Sequence, residues 1–221
     1  LLERLVYDDQ STILDPTFIQ DFLLTYRVFI EKPQYITTRL QEWFEKLSLA
    51  QQSNTSTTLS PQSFVADTDF QTLNLKKRIY RIVLEWITNH FNDFENNKEL
   101  YEFLEHFQEI LGKEKMQEQF KVLSIAISTK SRPRTITLAR SKRDEQLQFN
   151  IQGGWEKGYG IFVSRVDKDS KAYELGMRRA DQILDVNGQS FQHIQLSNAI
   201  DILKQFTHMS ITLKYNPIGF N

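Results

Sequence analysis

The chain has 221 residues, a formal net charge of -1, 40% hydrophobic residues and no cysteine. That length accommodates one large or two ordinary domains, and the near-neutral charge gives no long-range field that would draw nucleic acid to the surface as a whole. Without cysteine there are no disulfides, thiolate nucleophiles or zinc-cysteine sites, a usage that fits a reducing, cytosolic compartment.

No apolar run approaches the roughly 18 residues a membrane span needs, and Leu1-Leu2-Glu3-Arg4 lacks the apolar core of a signal peptide. The chain begins without Met, so the expectation is a piece of a longer protein. Of its 8 glycines, 7 follow residue 150 and none precedes Gly112, which predicts a helical first half and a turn-rich second half.

Asp15-Pro16 pairs an N-cap aspartate with an N1 proline, and Phe18, Phe22, Tyr26 and Phe29 follow on one face, predicting a helix that ends before Pro33. A second helix carries Ile36, Leu40, Trp43, Phe44 and Leu47. Residues 48–72 are polar, with Gln51-Gln52-Ser53-Asn54-Thr55-Ser56-Thr57-Thr58 and Ser60-Pro61, and read as a flexible insertion. Leu75, Ile79, Ile82, Val83, Trp86, Ile87 and Phe91 then form the widest apolar stripe, as a central bundle helix would. Two further helices carry Leu100, Phe103, Leu104, Phe107 and Leu111, then Met116, Phe120, Leu123 and Ile127.

The run Asp15-Pro16-Thr17-Phe18-Ile19-Gln20-Asp21-Phe22-Leu23-Leu24-Thr25-Tyr26-Arg27-Val28-Phe29 resembles the signature of the Ras exchanger motif, the N-terminal helical domain of Ras-family guanine-nucleotide exchange factors. The resemblance implies an all-α bundle over residues 1–130 that does no chemistry and braces a catalytic exchange domain elsewhere in the same protein. Nothing in these residues alone should exchange nucleotide.

In the second half, Thr135-Ile136-Thr137-Leu138, Leu147-Gln148-Phe149-Asn150-Ile151 and Met209-Ser210-Ile211-Thr212-Leu213 alternate as half-buried strands, and Ile161-Phe162-Val163 and Ile183-Leu184 add continuous ones. Short helices are expected at about residues 170–175 and 196–206. Gly176-Met177-Arg178-Arg179-Ala180-Asp181-Gln182-Ile183-Leu184-Asp185-Val186-Asn187-Gly188 sets a glycine helix stop, a short strand and an Asn-Gly turn in close order. That run closely resembles the middle of a PDZ domain, which implies an α+β fold over residues 131–216, a partly open antiparallel β-sandwich with two helices, and leaves 217–221 as the start of a linker.

By that resemblance the domain binds a protein's C-terminus, which pairs as an added strand between the second strand and the second helix. Its site residues would be Gln146, Leu147, Gln148, Phe149, Asn150 and Ile151 on the loop and strand, with Leu196, Ile200 and Leu203 on the helix. The family usually has Gly-Leu-Gly-Phe where this chain has Gln146-Leu147-Gln148-Phe149, and glutamine disfavours the positive φ that glycine takes freely. Helix residues Leu196, Ile200 and Leu203 form one stripe and Ala199, Ile202 and Phe206 the next, so one faces a groove or all six are core. Leu196 stands where Ser/Thr-selective members carry His, and implies a hydrophobic ligand residue two before the terminus.

Lys130, Arg132, Arg134, Arg140, Lys142 and Arg143 cluster around the join of the two halves. They suit acidic lipid headgroups, steering of a carboxylate, or a solvated linker, with Lys142 and Arg143 nearest the carboxylate loop. His90, His106, His193 and His208 show no metal-ligand spacing, and no Gly-x-Ser-x-Gly or phosphate-binding Gly-Lys-Ser/Thr motif occurs, so no metal, cofactor or catalytic residue is expected.

The two signatures together resemble the PDZ-containing exchange factors for Rap-type small GTPases. The resemblance implies C-terminal peptides of membrane or junction proteins as partners, a catalytic exchange domain in cis, a Rap-type GTPase through the full-length protein, and a cytoplasmic, membrane-peripheral location. The alternative is a scaffold whose helical half binds an unrelated partner.

Overall fold

A computed structural model describes residues 2–7, 17–54, 62–95, 97–114 and 116–220. It divides into two compact units, Leu1–Leu123 and Ser124–Asn221. The first unit is all helix, with α1 (Leu2–Tyr7), α2 (Phe18–Thr25), α3 (Gln34–Asn54), α4 (Gln62–His90), α5 (Asn92–Glu95), α6 (Lys98–Lys113) and the first half of α7 (Gln117–Lys130). Asp15 and Pro16, the expected cap of α2, lie outside the described residues.

Helix α4 is the hub of this unit, packing against α1, α2 and α3. Its Ile79, Ile82, Val83, Trp86 and Ile87 are all fully buried, as the broad stripe predicted. Trp86 meets Tyr26 edge-on at 5.4 Å and Phe94 at 5.2 Å, the tilted geometry that aromatic quadrupoles favour. Phe44 of α3 and Phe107 of α6 meet the same way at 5.4 Å.

The aromatic stripe of α2 does not stay in one helix. It tightens into a 3₁₀ turn at Tyr26–Val28, and Phe29 is left exposed. Asp93 in α5 holds this turn: Tyr26 Oη donates to it at 2.8 Å, Trp86 Nε1 at 2.7 Å, and Arg27 pairs with both its carboxylate oxygens. Burial alone would raise the Asp93 carboxyl. The hydrogen bonds from Arg27, Trp86 and Tyr26 outweigh it and hold the group below the ordinary carboxylate range.

The stretch 48–72, read as a flexible insertion, is helical over 48–54 and 62–72, extending α3 and opening α4; residues 55–61 lie outside the described residues. Polarity there does not oppose helix, because glutamine, leucine and alanine are adequate formers. A buried tie also holds the end of α3: Lys76 Nζ donates to Gln51 Oε1 at 3.0 Å and to Glu114 Oε2 at 2.6 Å.

The second unit carries one antiparallel sheet of β1 (Arg134–Ala139), β2 (Phe149–Gly154), β3 (Tyr159–Val166), β4 (Asp181–Val186), β5 (Gln189–Ser190) and β6 (His208–Tyr215). Spatial order is β1-β6-β4-β3-β2, with β5 paired to β4, so β2 is an edge strand. Helices α8 (Lys171–Glu174), α9 (Leu196–Gln205) and α10 (Pro217–Phe220) complete it. Both units thus have the expected classes, helical bundle and α+β sheet domain.

The core of this unit gathers Ile161, Val163, Ile183, Val186, Phe191, Met209, Ile211 and Leu213 with Ala199 and Leu203 of α9. Ser170 caps α8 by accepting the Tyr173 amide at 3.2 Å, and Gly176 ends it at φ +92°. Asn187 and Gly188, at φ +52° and +80°, make the two-residue turn that joins β4 to β5 with Val186 opposite Gln189. Asp181 is fully buried: burial pushes its carboxyl up against the pull of Arg134, whose Nη2 donates to it at 2.5 Å.

Helix α10 falls where only a linker was expected. Phe162 points away from the core cluster yet is 2% exposed, because the Phe220 ring lies 6.1 Å from it. The Arg179 guanidinium lies over the Phe220 ring at 4.6 Å from its centre.

Candidate functional site

Helix α9 packs along the edge strand β2, leaving a groove of about 840 Å³ between them and the loop that precedes β2. Leu147, Phe149 and Ile151 take alternate positions on the loop and strand, so they share one face. Phe149 is buried in the core, while Leu147 and Ile151 are half-buried against it. Ile200 of α9 faces them across the groove.

Of the sequence-derived set, Gln146, Leu147, Phe149, Asn150, Ile151, Ile200 and Arg143 line this groove. Gln148 turns away, its Oε1 accepting the Ala172 amide at 3.4 Å and its carbonyl accepting from Asp167 at 3.0 Å. Leu203 is fully buried in the core, and Leu196 at the start of α9 is half-buried against it. Lys142 is exposed beside the groove without lining it. On α9, Ala199 and Leu203 are therefore core, and Ile200 is the apolar side chain that lines the groove.

Glutamine in the loop does not impose the strain that its composition suggests. Among the described residues only Ala180 and Asn187 adopt positive φ without being glycine, so Gln146 and Gln148 sit in ordinary backbone. The amides of Gln146, Leu147 and Gln148 have no acceptor among the described residues, and Gln146 and Leu147 line the groove's end. Free N-H groups suit an anion where they converge on one point.

The basic cluster resolves into separate roles. Arg134 is engaged with Asp181 and the Gly176 carbonyl, and Arg140 is buried with its guanidinium on backbone carbonyls. Lys142 and Arg143 remain exposed. Residues that periodicity did not reveal also line the groove: Arg140, Asp144, Glu145, Gln152, Ser164 and Lys204. Lys204 sits one helical turn past Ile200, a signal that the sequence held.

At the other end of the groove the turn after β2 is clamped to α9. Glu156 accepts the Leu196 amide at 3.1 Å, the Trp155 amide donates to the Ile194 carbonyl at 2.9 Å, and the Trp155 ring meets His193 edge-on at 4.8 Å. Among the described residues no group of side chains could hold a metal ion, and no helix is long and apolar enough to cross a membrane.

Two family models match this chain: the RasGEF N-terminal motif over residues 1–107 and the PDZ domain over residues 135–216. Human Rap guanine nucleotide exchange factor 6 is 39% identical over 220 residues, 99% of this chain and 12% of that protein. The chain carries a RasGEF N-terminal motif followed by a PDZ domain, and its full-span relatives are Rap guanine nucleotide exchange factors. The Rap guanine nucleotide exchange factor of Caenorhabditis elegans is 35% identical over 220 residues, 100% of this chain and 13% of its own length. The chain therefore spans about an eighth of these relatives. Over the second unit, human PDZ domain-containing protein 11 is 42% identical across 89 residues, 40% of this chain and 63% of that protein. A crystal structure of the second PDZ domain of Monosiga brevicollis Dlg1 aligns at 32% identity with a TM-score of 0.35, covering 38% of this chain and 100% of that one.

Proposed function

We propose that this Rap exchange factor segment works as a pair of non-catalytic modules, a PDZ groove that captures protein C-termini and a helical domain that braces a catalytic exchange domain of the same protein. The observation that carries the reading is that β2 is a sheet edge running beside a groove with an apolar patch of Leu147, Phe149, Ile151 and Ile200, at whose end the Gln146 and Leu147 amides have no acceptor among the described residues. A peptide adds to that edge as a strand, its terminal carboxylate on the amides of Gln146, Leu147 and Gln148. Its last side chain enters between Leu147, Phe149 and Ile200.

The ligand residue two before the terminus lies at the start of α9, against Leu196. Leucine accepts no hydrogen bond, and burying a hydroxyl there unpaired costs about 1–3 kcal/mol, so a hydrophobic residue is preferred over Ser or Thr. Membrane or junction proteins with such C-termini would hold the full-length protein at the cytoplasmic face of the membrane, where a Rap-type GTPase is its substrate.

A peptide array with free and amidated C-termini tests the groove. Free-acid peptides with Val, Phe or Tyr two before the end should bind best, and a tenfold preference for Ser/Thr peptides would overturn the assignment. Nucleotide release from a Rap-type GTPase should be unchanged by the 221-residue chain alone, and acceleration would overturn the bracing role.

A further inference from the structure

The loop between β1 and β2, residues 140–148, carries a hydroxyl that is open to modification. Ser141 is exposed, and its Oγ has no hydrogen-bond partner among the described residues. Arg140 precedes it and Lys142 and Arg143 follow, so cations flank the hydroxyl on both sides. An exposed loop serine in such a run suits a protein kinase with an acidic substrate cleft, since kinases sort substrates by charge pattern. Ser131 has similar neighbours, Lys130 and Arg132, but it is buried with its hydroxyl on the Ile127 carbonyl at 2.8 Å. Of these two serines, Ser141 alone combines the pattern with access.

Its position decides what a phosphate there would do. The loop lies at the groove's end, where Arg143, Asp144, Glu145 and Gln146 form part of the lining, while Ser141 itself does not. The Ser141 amide donates to Glu145 Oε2 at 2.8 Å, which brings a groove-lining carboxylate onto the residue that would be modified. Three cations and two carboxylates give residues 140–148 a net charge of +1. A phosphoserine adds about −2 near neutral pH, which turns the loop to about −1.

We propose that Ser141 is a phosphorylation site that closes the groove to peptide C-termini. The effect on binding rests on the reading of the groove as a site for such ends. A kinase transfers the γ-phosphoryl group of ATP: a bond forms between Ser141 Oγ and phosphorus, the bond from phosphorus to the β–γ bridging oxygen breaks, ADP leaves, and the hydroxyl proton passes to a base of the kinase. The phosphate then acts on the loop in two ways. It drives the Glu145 carboxylate off the Ser141 amide, and it draws Lys142 and Arg143 to itself while repelling a ligand carboxylate.

The test uses the 221-residue chain with phosphoserine in place of Ser141, and a fluorescent peptide with valine at its end and two before it, as free acid and as amide. The modified chain should lose about tenfold or more for the acid and bind the amide as before. Ser141→Ala keeps the backbone amide and removes only the phosphoryl acceptor, so it should bind both peptides like the wild type. Acid binding within about twofold of wild type after modification would overturn the proposal. So would an equal loss for acid and amide, the mark of a loop that collapses instead of repelling. Incubating the wild-type chain with ATP and a kinase that selects basic substrates should place phosphate on Ser141, located by mass spectrometry, and a Ser141 left unmodified would overturn the assignment. If the wild type shows no acid preference, the groove reading fails, and Ser141 is then judged by hydrogen exchange. The Ser141 amide should exchange faster once a phosphate displaces Glu145, and an unchanged rate would overturn the switch.

Discussion

Glu156 accepts the amide of Leu196 from 40 residues away, so the first turn of α9 is capped by the turn that ends β2. The usual cap comes from the residue next to the helix, but here Gln195 makes no such bond. The groove's helical wall is thus attached at both ends to the strand side, by Glu156 at one and Arg140 at the other.

Glu156→Ala should free the start of α9. Loss of a cap costs about 0.5–2 kcal/mol, and hydrogen exchange at the Leu196 amide should rise while the core strands stay protected. Unchanged exchange at Leu196 would show that the clamp contributes nothing.

Leu196→His should reverse the ligand preference two residues before the terminus. Histidine accepts a hydrogen bond that leucine cannot, so Ser and Thr peptides should gain about tenfold relative to valine peptides on an array. A preference unmoved by the substitution would place that ligand residue elsewhere.

Asp93→Ala should cost the helical unit about 2–4 kcal/mol, since it strips the partner from Arg27, Tyr26 and Trp86 together. The pH dependence follows in sign. The Asp93 carboxyl is held below its unfolded value, so its contribution is present above the ordinary carboxylate range and is lost as pH falls through the lower folded value. Helical ellipticity should weaken on acidification in the wild type. With Asp93→Asn that part of the slope should disappear.

Gly153 and Gly158 should differ sharply on replacement by alanine. Both have positive φ, but a Cβ on Gly153 would run into the Gly160 carbonyl oxygen, whereas one on Gly158 meets nothing within 4 Å. Gly158→Ala should cost about 1–2 kcal/mol of backbone strain. Gly153→Ala should exceed that and loosen the β2–β3 pairing, measured by denaturation and by amide exchange in β3.

Much of the second unit could be read from residues because its signals are local. Alternation marked β1 and β6, and Asn187-Gly188 located a turn to the residue. What could not be read depends on distant partners. Phe29 shares the helical spacing of Phe22 and Tyr26 yet ends up exposed, just past a turn whose Tyr26 is bound to Asp93 far along the chain. Arg140 looked like one of six basic residues, and only the folded loop reveals the carbonyls around it. Helix α10 is too short for a periodic pattern, and its value lies in covering Phe162, a strand residue that alternation alone would turn to solvent. In the groove the sequence supplied most of the lining but could not separate Ile200 from its buried neighbour Leu203.

The pairing of β2 with β3 shifts register twice, between Asn150 and Ile151 and between Gly153 and Gly154. A free edge that accepts a peptide would accept another sheet equally well if it were long and flat. The extra residues, Ser164 and Gly160, both lie in β3, so β2 runs from Phe149 to Gly154 without an insertion of its own. At six residues the edge is short, which limits how far a second sheet could pair along it while leaving room for a single added strand.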